Sequence, residues 1–148
     1  NKMNILIFGE SSTGKSTLAS KINEYKDMEI YTGKDYLRLS KNKNESKEQF
    51  INMLQDQSND IIFVATEKEE VEMVPDSVLK ILCKASLETK IKRFSVRFNG
   101  HMPKSVEDMM KRKDGMFKGF DYDLLIDGEK DIDANVSIVL DFINVKKS

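Results

Sequence analysis

The sequence predicts an α/β fold: a five-stranded parallel sheet with helices on both faces. Three observations carry that expectation. Short apolar runs, "ILIF", "IIFVA" and "VLKILCKA" among them, alternate along the chain with helix-period segments. The apolar runs are nearly continuous instead of alternating, as strands covered on both sides require. The first run leads straight into "GESSTGKST", a glycine-framed stretch that opens an amphipathic segment.

Size and charge set the outer bounds. The 148 residues suit one domain, 1–148, with one substantial core. Charged residues make up 33% and hydrophobic ones 39%, ordinary for a soluble globular chain. The apolar runs are far too short to span a bilayer. No basic stretch followed by an apolar core opens the chain, so no membrane association or export is expected. The single cysteine, Cys83, excludes an internal disulfide and suits a reducing, cytoplasmic location. Its apolar surroundings predict a buried, inert thiol. Net charge is −1, yet residues 84–118 hold ten Lys or Arg against four acids, while residues 60–76 hold six acids and only Lys68. A basic segment in a near-neutral chain points to a local anionic ligand and away from a nucleic-acid surface.

Strands are expected at residues 4–8, 28–31, 61–65, 79–84 and 124–126. A first helix over 15–25 places Leu18, Ala19, Ile22 and Tyr25 on one face. A second begins near Ser46, which stands three residues before Gln49 in capping-box spacing and precedes Phe50, Ile51 and Leu54. The polar residues 40–47 before it read as a flexible connection. Ser86 caps a further helix and Ser105 another. A last helix over 132–143 turns Val136, Val139, Leu140 and Ile143 inward.

The stretch Gly9-x-x-x-x-Gly14-Lys15-Ser16 is a complete Walker A pattern. Glycine lets the backbone approach an anion closely, and successive amides from Ser12 through Thr13 to Thr17 then point into one concavity at a helix N-terminus. Lys15 would bridge the β- and γ-phosphates, Ser16 would place its hydroxyl on Mg²⁺, and Thr17 would reach the α-phosphate. The implied ligand is a nucleoside triphosphate, ATP with Mg²⁺.

Three further stretches resemble nucleoside monophosphate kinases of the cytidylate and adenylate kinase type, which are P-loop kinases. "IYTGKDYLRL" (30–39) is similar to the segment after their second strand. "CKASLETKIKRFSVR" (83–97) is similar to their fourth strand and lid entry, and "KRKDGMFKGFDYDLLIDGE" (111–129) to their lid exit and fifth strand. The resemblance implies strand order 2-3-1-4-5, a helical lid over about 93–118, a short acceptor-binding segment over about 32–59, and adenine near residues 127–130. It implies catalytic roles for the lid arginines Arg93, Arg97 and Arg112 beside Lys15. Open α/β sheets bind ligands beyond the carboxyl ends of their strands, so Thr32, Gly33, Asp35 and Arg38 past the second strand are candidate acceptor contacts, Asp35 also a catalytic one, and Glu67 past the third is a candidate for Mg²⁺ beside Ser16. Arginine suits a lid because guanidinium stays charged and forks onto phosphate oxygens. The lone loop histidine, His101, is assigned no chemistry.

The chain departs from that pattern in particular places. The arginine after Thr-Gly falls at Arg38, where Leu37 would be expected to carry it, the lid-exit positions hold Met116 and Gly119, and the third strand lacks an Asp-Gly ending. Three readings therefore stand. The chain is a phosphotransferase acting on a nucleoside monophosphate, a small-metabolite kinase of shikimate or gluconate type, or a non-catalytic ATP-binding module. A GTPase is disfavoured, since neither a DxxG nor an NKxD motif is placed at a strand end. The expected partners are ATP and a small, anionic acceptor, in a monomer or a dimer.

Overall fold

The computed structural model describes residues 2–147. Strands β1 (Ile5–Phe8), β2 (Glu29–Tyr31), β3 (Ile61–Ala65), β4 (Leu79–Lys84) and β5 (Leu124–Asp127) form one sheet. Their order is β2-β3-β1-β4-β5 and every neighbouring pair is parallel. Among the described residues seven helices accompany them: α1 (Lys15–Lys26), α2 (Gly33–Leu37), α3 (Lys43–Gln55), α4 (Lys68–Glu72), α5 (Leu87–Ser95), α6 (Lys104–Lys113) and α7 (Ile132–Lys147), with a 3₁₀ turn at Val96–Phe98. The two edge strands are short, which limits the unpaired backbone they present.

Side-chain alternation along β1 divides the core. Ile5 and Ile7 face α1 and α7 and pack with Leu18, Ile22, Val136, Val139 and Ile143. Leu6 and Phe8 face the opposite layer, where Tyr36, Phe50, Leu54, Val71 and Phe117 cover the sheet. Aromatic rings hold that second layer edge to face. Phe50 and Phe63 stand 4.9 Å apart at 77°, and Phe8 and Phe117 stand 5.2 Å apart at 84°. Ile7 pairs with Val64 on one side and Ile81 on the other, so β1 sits at the centre and its carboxyl end delivers residues 9–14 to the middle of the sheet edge.

Four local expectations are corrected. Tyr25 lies on the predicted side of α1 but is 68% exposed, because periodicity fixes a face and the neighbouring layer decides how far that face is covered. α3 starts at Lys43 with Asn42 as its cap, the Asn42 Oδ1 accepting from the Asn44 and Glu45 amides at 2.8 and 3.2 Å. Asparagine caps as well as serine does, and here it claims the earlier register. Ser46 is instead fully buried, its hydroxyl accepting from the Ser40 amide at 2.8 Å and lying 3.1 Å from the Leu37 carbonyl. The stretch 40–47 is thus pinned and is no flexible connection. α6 begins after Pro103, not Ser105, since proline's ring presets a helix-entry angle.

Candidate active site

The loop between β1 and α1 is shaped by close approaches. A Cβ on Gly9 would lie 2.4 Å from the Cys83 carbonyl oxygen, so only glycine lets this loop lie against the end of β4. Gly14 takes φ 90° and Ser12 takes φ 66°, both left-handed, which turns the intervening amides to one side. Thr13 is buried and its Oγ1 donates to the Glu10 carbonyl at 2.8 Å, bracing the loop from within. A cleft of about 510 Å³ opens beside the loop, lined by Ser12, Thr13, Gly14, Lys15, Ser16 and Thr17.

Lys15 lies on the floor of that cleft. Its side chain is buried and Nζ donates to the Glu10 carbonyl at 3.1 Å. Burial lowers its pKa from 10.5 to about 8, against the raising effect of the Glu70 and Glu10 carboxylates. Cys83, on the same wall, has its thiol pushed up to about 12 by burial and is therefore no nucleophile at neutral pH.

The helical excursion between β4 and β5 covers the cleft. Ser86 caps α5, its Oγ accepting from the Thr89 amide at 3.2 Å. Glu129, in the loop after β5, accepts from Thr89 Oγ1 at 2.6 Å and from the Ser86 amide at 2.8 Å, and these bonds lower its pKa. With α5 anchored there, Arg93 reaches over the loop and donates to the Ser12 carbonyl at 3.2 Å and the Gly128 carbonyl at 2.7 Å. Arg97 falls in the 3₁₀ turn, not on the helix. Asn99 and Gly100 take left-handed angles and end the run. Its guanidinium lies 4.8 Å from the centroid of the Phe94 ring and lines the same cleft as Arg93. Arg112 is exposed on α6 and is not among the residues lining that cleft.

Residues expected on the acceptor side are spent on local bonds. Asp35 Oδ2 accepts from the Thr32 amide at 2.8 Å and from Thr32 Oγ1 at 2.9 Å, tying down the start of α2. Arg38 has a side chain 78% exposed and stands 4.0 Å from Asp35 Oδ1. Gly33 makes room for a carboxylate, since a Cβ there would lie 2.0 Å from Glu70 Oε2. Glu70 Oε1 in turn accepts from the Thr66 and Glu67 amides at 3.1 and 3.0 Å. Glu67 is exposed and lies outside the lining of the 510 Å³ cleft, whereas Glu70 acts electrostatically on Lys15. Among the described residues no group of three or more His, Cys, Asp or Glu is arranged to hold a metal ion. Any Mg²⁺ here would be held by Ser16 together with the phosphates it accompanies, the usual economy of such sites.

Sequence reasoning missed four participants. Glu10, an interior position of the Walker motif, holds Lys15 by its carbonyl and Lys90 by its carboxylate. Lys90 was one cation among ten in a basic segment. Glu70 was one acid in the run "EKEE". Asn135 lines the far end of the cleft with its Nδ2 donating to the Asp127 carbonyl at 2.9 Å. None of these has a spacing that separates it from an ordinary surface charge or a helix polar residue.

No family model matches the chain, and no curated protein matches it. Solved structures do. An uncharacterised protein from Eubacterium ventriosum is similar with a TM-score of 0.72 at 20% identity, covering 97% of this chain and 99% of that one. Shikimate kinase from Aquifex aeolicus is similar at 0.63 and 13% identity, covering 98% of each chain. Deoxyadenosine kinase from M. mycoides is similar at 0.60 and 19% identity, covering 97% of this chain and 99% of that one. At these identities the likeness is one of fold, and the fold is that of P-loop kinases. No helix among the described residues is long and apolar enough to cross a membrane.

Proposed function

We propose that the chain is a P-loop phosphotransferase that binds Mg-ATP at residues 9–17 and moves its γ-phosphoryl group to a small-molecule acceptor. The observation that carries this reading is the buried Lys15 ammonium, parked on the Glu10 carbonyl at the floor of a cleft ringed by loop amides and overhung by Arg93 and Arg97. Transfer of a phosphoryl group asks mainly for alignment and positive charge at the oxygens that gain negative charge. On arrival of the β- and γ-phosphates, Lys15 exchanges its carbonyl partner for phosphate oxygen. The amides from Ser12 to Thr17 hold the phosphate tail, and the Ser16 hydroxyl would ligate Mg²⁺, which neutralises phosphate charge when bound. Arg97 lines the same cleft and supplies a second guanidinium. Arg93 closes the excursion onto Ser12 and Gly128 and so acts as the hinge pin of a lid that excludes water. The cleft's far end, at Gly128, Lys130 and Asn135, would take the adenine.

Between the two acceptor readings, the small-metabolite kinase is better supported than the nucleoside monophosphate kinase. Beyond β2 and β3 the cations are Lys34, Arg38 and Lys68, all exposed and none lining the phosphate cleft, which favours an acceptor without a phosphate of its own. The test is twofold. Calorimetry should give Mg-ATP binding that Lys15→Ala abolishes, and ADP release should depend on an added acceptor. Tight binding with no acceptor-dependent release across monophosphates and small hydroxyl compounds would favour the non-catalytic module.

A further inference from the structure

A second, smaller cleft abuts the first. It shares Ser11 and Thr66 with the phosphate cleft, so anything seated in it lies beside the tip of a triphosphate held on the loop. Its walls are Phe94, Met109, Met110 and Met116, contributed by the excursion between β4 and β5 and by the segment after α6. In volume it is about 50 Å³. At ~10–15 Å³ per water-sized occupant, that accepts a group of roughly four non-hydrogen atoms without movement of its walls.

Acids outnumber cations around this cleft once Asp114 is counted with Glu10, Glu67, Lys90 and Lys113. Lys90 is committed to Glu10 Oε1 at 2.7 Å and Asp114 Oδ1 at 2.5 Å, leaving it no free attraction for an anion. Of the remaining lining charges, Glu67 and Lys113 are both exposed and of opposite sign. No arginine lines it, and Arg38 is elsewhere. Placing a phosphate or carboxylate against three methionines and a phenyl ring, with two carboxylates close by, would bury an uncompensated charge. Methionine walls instead adapt to a small apolar body.

Resting on the kinase reading above, we propose that this methionine-lined cleft is the acceptor subsite and that its substrate class is a compact uncharged alcohol. The acceptor's hydroxyl oxygen forms a bond to Pγ as the bond from Pγ to the β–γ bridging oxygen breaks. ADP departs with that electron pair, and the hydroxyl proton is released to water.

The experiment uses the full chain labelled with ¹³C at the methionine methyls and saturated with Mg-ADP. Met109→Leu, Met110→Leu and Met116→Leu assign the three resonances. 1-Propanol and 2-propanol, of the size the cleft admits, are titrated against CMP and shikimate, each to tens of millimolar. The expected result is a saturable shift of the Met109, Met110 and Met116 methyls with the alcohols and none with the two anions. A shift driven by the anions at lower concentration would overturn the assignment, as would silence from every probe while Mg-ADP occupies the loop. Failure of Mg-ADP itself to bind is a separate outcome, removing the kinase reading and this inference with it.

Discussion

The ammonium of Lys90 stands 2.7 Å from the Glu10 carboxylate, joining α5 to the phosphate loop across eighty residues of sequence. Lys90 is 3% exposed, and its second partner, Asp114, lies at the exit of α6. The other oxygen of Glu10 accepts from the Gly115 amide at 2.9 Å, so one loop residue holds both ends of the excursion. Because the Glu10 carbonyl also accepts from Lys15, the anchor of the excursion and the buried loop ammonium share a single residue.

Replacing Lys90 by methionine should therefore destabilise the fold. The change leaves Glu10 and Asp114 facing each other without a cation. The loss should be on the order of 2 kcal/mol, less than for a fully buried pair because Asp114 keeps 43% of its side chain exposed. Urea unfolding measures it. Burial works to lower the Lys90 pKa, but the bonds to Asp114 and Glu10 outweigh burial and raise it. The stabilisation is thus complete at neutral pH and is lost only as pH climbs through that raised value, above the ordinary lysine range.

Lys15 should make nucleotide affinity depend on pH. Its pKa of about 8 in the free protein rises on contact with phosphate, so binding takes up protons near pH 8 and weakens at higher pH. Calorimetry in buffers of different ionisation enthalpy should detect that uptake, and Lys15→Met should remove it. The same shift acts on folding with the opposite tendency. Between about 8 and 10.5 the unfolded chain binds more protons at this residue, so its contribution to stability improves as pH rises.

Two glycines should respond differently to alanine. At Gly128 the new Cβ would lie 2.1 Å from the Thr13 carbonyl oxygen and 3.0 Å from that of Lys84, both backbone atoms that have nowhere to go. Gly128→Ala should push the phosphate loop out of shape and weaken Mg-ATP binding at least tenfold, about 1.4 kcal/mol. At Gly33 the obstacle is the Glu70 carboxylate, the far end of a flexible side chain. Gly33→Ala should change stability little and displace Glu70 from the Thr66 and Glu67 amides, visible as faster hydrogen exchange at those two positions.

The arginines should separate by position. Arg93→Ala removes both bonds that close α5 onto the loop and should weaken nucleotide binding about tenfold. Arg97→Ala should spare binding more than turnover, which should fall by orders of magnitude if its guanidinium meets the moving phosphoryl group. Arg112→Ala, on the exposed face of α6, should leave both unchanged. A loss of turnover in Arg112→Ala would show that the lid swings that side chain inward.

Much of this architecture could be read from local pattern. The span of β3 and β4, the start of α1 and the Ser86 cap follow from residues within a few positions of one another, where apolar period, glycine and a capping hydroxyl act directly. The loop from Gly9 to Ser16 is equally local, since its eight consecutive residues carry both the turn and the charge. Distance in sequence hid the rest. Nothing near Lys90 in the chain distinguishes it from Lys92, and only the fold brings it against Glu10 and Asp114. Glu70 and Gly33 meet because β2 and β3 are neighbours whose carboxyl ends point the same way. Arg38 shows a different case: its place just beyond β2 suggested an acceptor contact, and its side chain stands 78% exposed beside Asp35. Local order arises from backbone sterics and periodic burial, which a short stretch of chain specifies alone. Which charge loses its water, and against which partner, depends on layers assembled from distant segments.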